Sequence, residues 1–385
     1  MTLSLPNAPL MHGAALRREW IADQAQVACI DYEPSALLLH RGHRKEEGEL
    51  AGLVLAAMRL DLPAVLAAPH HTALAVALAA AGFAPLSGER DALASPRVAV
   101  EMINSGGPRP KDLLNGFSLA NALRAGLAAG GGPELLVHLA ALAREAGEVG
   151  FSRMIRVLAP ESPALAGSRT IAGLFAALGD ALHDTRTVEG KMLKESLPEQ
   201  SAQVPAEKSR LRFVAGRASG VEAVVSVPPD AEEVAGACRV CGSEGEAIEA
   251  VAGGHVKEGD LLVVVGCGVQ GGPGLLGLSS LDEALTAANL DVPVVTDGLP
   301  PQNPSRASSW ISLFAPEAAD GGVIGRLRDG DFLRFDLAEG RIRTSVTADE
   351  LANREPFAKR DHPGFGYAAR YAASALPALE GAGFG

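Results

Sequence analysis

DLLVVVGCGVQGGPGLLG, residues 260–277, joins an unbroken apolar run of strand length to a glycine-rich stretch. The segment SLDEALTAA, residues 280–288, follows with the apolar spacing of a helix. A short apolar run of this kind between turn residues fits a β-strand. Short runs of β type surround it: RFVAG (212–216), EAVVSV (222–227), VPVVTDG (292–298), DFLRFDL (331–337) and RIRTSV (341–346). With GEAIEAVA (245–252) as another helix, the C-terminal part is expected to be β-rich and barrel-like, with flanking helices.

The N-terminal part has a different pattern. SALLLH (35–40), GELAGLVLAAMRLD (48–61) and LPAVLAAP (62–69) predict strand, helix, strand and therefore a parallel pair with a crossover helix. NGFSLANALRAGLAA (115–129) and PELLVHLAALAREAG (133–147) predict two helices meeting at the glycines Gly130, Gly131 and Gly132. The polar, proline-interrupted KESLPEQSAQVPAEKSRLR (194–212) is the expected linker region. The expectation is an α/β chain with an N-terminal parallel-sheet domain over residues 1–195, a linker over 196–209 and a β-rich barrel-like domain over 210–385.

Composition narrows the function. The 34 basic and 46 acidic residues give a net charge of −12, which argues against nucleic acid or an anionic membrane as the main partner. The start of the chain lacks a basic region, and Pro6 and Pro9 interrupt its apolar stretch, so export is not expected. The apolar runs at 50–60 and 74–86 are shorter than the ~20 residues that cross a bilayer. Four cysteines do not form a disulfide framework in this length, and a cytoplasmic location is expected.

Several residues are candidates for chemistry. The glycine stretch with Gly271, Gly272 and Gly274 either closes a structural turn or presents backbone N–H groups to an anion. It is not a P-loop, because no Gly-Lys-Ser/Thr follows, and it lacks dinucleotide spacing. Cys238, Cys241, Cys267 and His255 allow a zinc site on paper, against ordinary buried thiols. His138 sits within an apolar helix, where a satisfied core histidine is the default, and His70 and His71 follow a strand end. The polar HRGHRKEEGE (40–49) reads as a solvated helix start.

The order of these pieces resembles the dihydroxy-acid and phosphogluconate dehydratase family over roughly residues 36–383. The likeness is carried by ALLLHRGHRKEEGELAGLVLAAMRLDLPAVLAAP, the two helices around Gly130, CRVCGSEGEAIEAV, VKEGDLLVVVGCGVQGGPGL, VPVVTDG, APEAADGGVIGRLRDGDFLRFDL and GYAARYAASALPALEGAG. The resemblance implies an α/β domain and a barrel-like domain enclosing an iron–sulfur cluster and a magnesium ion, with a deprotonated serine as base, for dehydration of sugar acids or dihydroxy acids.

This chain departs from that pattern at the ligand positions. The family's Asn-Cys-Asp-Lys reads Arg41-Gly42-His43-Arg44, and the two other family cysteines have no counterpart. Leu275-Leu276-Gly277-Leu278 replaces the Met-Pro-Glu-Met that carries a metal carboxylate. Gly130-Gly131-Gly132-Pro133-Glu134 replaces GGSTN, and Pro301 occupies the position of the base serine in TDGLPPQNPSRASS (296–309).

No cofactor is therefore expected, since the ligands for the iron–sulfur cluster and for magnesium are missing. The expected role is that of a pseudoenzyme: a non-catalytic subunit or binding protein, in a homo-oligomer or paired with an active dehydratase, with a small hydroxy acid as ligand. The ligand-binding candidates are Gly271, Gly272, Gly274, Thr296, Asp297 and Gly298. The alternative is a hydro-lyase with a rebuilt site that uses Asp297, Ser305, Arg306 and His138, Arg306 being suited to bind a carboxylate.

Overall fold

The computed structural model describes residues 25–30, 33–39, 47–66, 72–86, 93–165, 170–197, 206–217, 220–270, 275, 277–302, 304, 309–358, 371 and 373–383. The chain divides into two compact units, Met1–Gly131 with His138–Lys208, and Gly132–Val137 with Ser209–Gly385.

In the first unit, β1 (Ala25–Ile30) pairs antiparallel with β2 (Glu33–Leu39), and β2 pairs parallel with β3 (Ala64–Leu66). Helix α1 (Glu47–Leu60) is the crossover between the two parallel strands, and it buries Leu50, Leu53, Val54, Ala57 and Met58. Those positions recur at the helical period, which is why the segment folds as one amphipathic helix. The described sheet is mixed, because β1, a strand whose sequence has little alternation, adds an antiparallel neighbour to the parallel pair β2 and β3.

The helices of this unit are α2 (Ala73–Leu78), α3 (Ala94–Ser105), α4 (Pro110–Leu113), α5 (Gly116–Ala128), the part of α6 (Pro133–Glu145) from His138 onward, α7 (Phe151–Glu161) and α8 (Ile171–Leu178). The Asn115 side chain accepts the N–H groups of Phe117 and Ser118, which caps α5 and starts it at that residue. Gly130 holds φ +92 between α5 and α6, a conformation that a side chain disfavours, so the glycine turn ends one helix and admits the next. Inside the unit the fully buried Asn121 bonds the N–H and C=O of His183, tying α5 to the chain after α8. Short strands β4 (Ala164–Leu165) and β5 (Ala206–Glu207) pair antiparallel, so the last part of the expected linker is structured, while residues 198–205 lie outside the described residues.

The second unit is a closed eight-stranded barrel of mixed direction. Its strands are β6 (Leu211–Ala215), β7 (Glu222–Ser226), β8 (Glu233–Cys241), β9 (Asp260–Val264), β10 (Val294–Thr296), β11 (Trp310–Ala315), β12 (Phe332–Asp336) and β13 (Arg341–Thr344). They close in the order β10, β11, β7, β6, β13, β12, β8, β9. Strands β8, β9, β10 and β11 run parallel, with α9 (Glu244–Ala252) and α10 (Ser279–Ala287) as crossovers between the first three.

Side-chain alternation sorts this unit into two cores. Leu261, Val263 and Val265 face the barrel interior with Val225, Val295, Ile311 and Phe335, whereas Leu262 and Val264 face outward beneath Ala247, Val251, Leu281 and Leu285 of the crossover helices. Because β9 is covered on both sides, its sequence is a continuous apolar run instead of an alternating one. Among the described residues no helix is long and apolar enough to cross a membrane.

Candidate functional site

Parallel strands bring their C-terminal ends to one edge, where the loops that follow them converge, and ligand sites of α/β sheets form at such edges. Here β9 is followed by Gly266-Cys267-Gly268-Val269-Gln270, β10 by Asp297 and Gly298, and β11 by Pro316, Glu317 and Ala318. Two carboxylates organise the junction.

Asp297 is 1 % exposed. Its Oδ1 accepts the N–H of Cys267 at 2.8 Å, and its Oδ2 accepts those of Gly266 at 3.2 Å and Ala318 at 3.1 Å. One side chain thus ties together the ends of three neighbouring strands. Burial pushes the Asp297 carboxyl above the usual carboxylate range, and the backbone N–H groups of Cys267, Ala318 and Gly266 oppose that shift. Thr296 shapes the same corner, its hydroxyl accepting the N–H of Gly298 at 3.0 Å.

Glu317 is the second carboxylate, buried beside the first loop. Its Oε2 accepts the N–H of Gln270 at 2.8 Å, and the N–H of Val269 also bonds to the carboxylate. The carboxylate lies over the bare Cα of Gly268, where a Cβ would come within 2.5 Å of it. Burial, reinforced by the like charges of Asp297 and Asp320, pushes the Glu317 carboxyl up to about 7 against those two N–H groups. A carboxyl with that value exchanges protons near neutral pH.

Over its described part the loop after β9 turns backbone N–H groups toward the chain's own carboxyl groups, Asp297 and Glu317. Of the expected site residues, Thr296, Asp297 and Gly298 come together at this edge, all buried. His138 lies on α6 and belongs to the first unit, half-buried. Gly271, Gly272, Gly274, Ser305 and Arg306 lie outside the described residues, as do His70, His71 and residues 40–46. Pro301, at the position of the family's serine, is buried; Leu299, two residues earlier, bridges to Gly277, and its carbonyl accepts the N–H of Leu278 at 3.3 Å.

Glu317 is the residue that sequence reasoning left out of the site. Its signal was its place in PEAADGG (316–322), one of the motifs that carry the family resemblance, as TDG (296–298) is for Asp297. The preceding run, WISLFA, was not recognised as a strand.

The described thiols do not form one metal site. Cys238 and Cys241 are three residues apart on β8, so they point to opposite faces, Cys238 into the barrel interior and Cys241 into the outer core with Cys267. Burial pushes the Cys238 thiol up to about 12 and the Cys241 thiol to about 11, helped by nearby Asp331 and Asp329 at the first and Glu246 and Asp329 at the second. Thiols held protonated in separate layers are poor ligands.

Among the described residues the donor chemistry does not fit an iron–sulfur cluster or a magnesium ion. Among the described residues no three His, Cys, Asp or Glu side chains converge to hold a metal, and the buried carboxylates at the strand ends are taken up by backbone N–H groups.

Comparison with known proteins agrees with this frame. Residues 201–382 match the model of the dihydroxy-acid/6-phosphogluconate dehydratase C-terminal domain. A dihydroxy-acid dehydratase of Citrifermentans bemidjiense is 31% identical over 347 residues, covering 81% of this chain and 60% of that protein. Dihydroxy-acid dehydratases of Ruminiclostridium cellulolyticum and Methanospirillum hungatei are 31% and 32% identical, each over 71% of this chain and 55% of their own length. The chain thus spans a little over half of the curated relatives it matches. The barrel, the glycine loop between β9 and α10 and the acidic residues at the ends of β10 and β11 lie within the matched region, and the chain belongs to the dihydroxy-acid dehydratase family.

Proposed function

We propose that this chain is a non-catalytic member of its family, which binds a small hydroxy acid or serves as a subunit beside an active dehydratase. One observation carries the proposal: at the strand-end edge the buried carboxylates are spent on backbone N–H groups, and proline stands where the family resemblance places the base serine. Proline has no side-chain proton to exchange, so position 301 cannot act as the base. What remains is a frame, and frames of this kind persist when a fold is retained for binding.

The test is iron, sulfide and magnesium content together with the visible spectrum, on protein purified without oxygen and after attempted cluster reconstitution. Dihydroxy and aldonic acids would be assayed in parallel. Colourless protein without turnover, which binds a hydroxy acid or copurifies with a longer dehydratase, is the expected result. Stoichiometric iron with turnover would overturn the proposal.

A second function, a hydro-lyase with a rebuilt site, draws support from Glu317, whose raised carboxyl suits proton transfer near neutral pH. It requires turnover without iron that is lost in Glu317→Gln.

A further inference from the structure

Glu317 is a second tie between two loops that Asp297 already joins at their bases. Its backbone belongs to the turn after β11, while its carboxylate holds the N–H groups of Val269 and Gln270 in the loop after β9. The geometry is closely set, because Gly268 leaves room for the carboxylate only by lacking a Cβ. Asp297 fixes the first two residues of the same loop, Gly266 and Cys267, and also the N–H of Ala318 next to Glu317. Over its described residues the loop thus has a base fastened by Asp297 and a following part, up to Gln270, fastened by Glu317.

The surroundings of Glu317 decide which of its charge states fits. Asp297 acts on it from the end of β10, and Asp320 acts from its own turn, both of like sign. From the β9 loop it meets the uncharged Gly268, Val269 and Gln270, and the buried thiol of Cys267 turns toward the Val265 carbonyl. The cation of the following turn, Arg326, donates its Nη1 to the carbonyls of Leu351, Ala352 and Arg354. A neutral carboxyl meets these conditions: its carbonyl oxygen still accepts the loop N–H groups, and it carries no charge beside Asp297. An ionised carboxyl in the same place is unscreened and gains by moving toward water, which releases the loop.

We propose that Glu317 is a proton-operated latch, closed when neutral and open when ionised, which controls whether residues 268–270 of the β9 loop are held at the strand-end edge. The direction is unusual, since most carboxylate ties tighten as pH rises. It follows from burial and like charge outweighing two hydrogen bonds. The device does not depend on whether the edge is catalytic.

Hydrogen exchange of the full chain, read by mass spectrometry on peptides covering 266–270 and corrected for intrinsic rates, tests the latch at pH 6.0 and 8.5. Protection at Val269 and Gln270 is expected to fall about tenfold or more across that interval, while Cys267, held by Asp297, changes little. Glu317→Gln keeps the shape of the neutral carboxyl and is expected to remain protected at both values. Equal protection of the wild-type loop at the two pH values would overturn the proposal. If the variant does not fold, carboxyl NMR of the wild-type chain takes its place: Glu317 must titrate where protection is lost, and titration below about pH 5 would equally overturn the latch.

Discussion

The Oδ1 atom of Asp297 lies 2.8 Å from the backbone nitrogen of Cys267, across two adjacent parallel strands and at the point where both end. The same carboxylate also receives Gly266 and Ala318, so three buried N–H groups depend on one side chain. Asp297→Ala would leave all three without an acceptor, at roughly 1–3 kcal/mol each if the loops do not relax, so a loss of at least ~3 kcal/mol is expected. Asp297→Asn keeps one acceptor and turns an NH2 group toward the other donors, and a loss of ~1–3 kcal/mol is expected. Urea unfolding of both variants checks this, and a change below ~0.5 kcal/mol in the alanine variant would contradict the structural role.

Glu317 gives a pH dependence with a definite sign. Its folded-state value of about 7 lies above the ordinary 4.5, so the folded chain binds this proton more tightly than the unfolded chain. The stabilisation from Glu317 is therefore complete below about pH 4.5 and is lost as pH rises through about 7. The full span converts to ~3 kcal/mol at most, because release of the ionised carboxyl to water limits the loss. Other carboxylates act in the opposite direction in acid, so the useful quantity is the difference between wild type and Glu317→Gln. The variant is expected to gain stability relative to wild type between pH 5 and 8.5, and a difference that stays constant over that range would sink the assignment.

The barrel was more legible in the sequence than the site it carries. Strands β6, β7, β9, β10, β12 and β13 and helices α9 and α10 each contain a periodic or continuous apolar signal with turn residues at both ends. Strand β11 was missed because WISLFA follows a proline and serine stretch without helical or alternating context. In β8, small residues such as Ala235, Gly236 and Ala237 hide the alternation. Asp297 was visible as a motif residue, but its role was not, because a carboxylate that serves three backbone N–H groups from two other strand ends is a long-range arrangement. Glu317 escaped for the same reason: its environment is made by Asp297 and by the 268–270 backbone, neither of which is near it in sequence.

Two glycines separate a rigid contact from a yielding one. A Cβ on Gly322 would overlap the carbonyl of Pro316, which is backbone and cannot rotate away, so Gly322→Ala is expected to cost ~3 kcal/mol or more. A Cβ on Gly268 would meet the Glu317 carboxylate at 2.5 Å, and that side chain can swing aside by giving up its bond to Gln270. Gly268→Ala is therefore expected to cost ~1–3 kcal/mol, and less in a Glu317→Ala background, whereas Gly322→Ala should cost the same in both. Denaturation of the four combinations provides the check, and strict additivity between positions 268 and 317 would contradict the contact.

The cysteines supply the last prediction. Cys238 is in the barrel interior, Cys241 and Cys267 are in the outer core, and all three are buried. Thiols pushed up to about 12 and about 11 at the first two hold almost no thiolate at pH 8, and burial blocks reagent access as well. Iodoacetamide at pH 8 is thus expected to leave Cys238, Cys241 and Cys267 unmodified in folded protein and to label each of them in urea, as read by peptide mass spectrometry. Cys238→Ser is expected to leave zinc content unchanged, because a side chain facing the barrel interior cannot share a metal with one facing the helices. Rapid alkylation of Cys241 in the native state, or stoichiometric zinc lost on substituting Cys238, would mean that β8 does not alternate its faces as described and that the barrel wall next to α9 needs a different register.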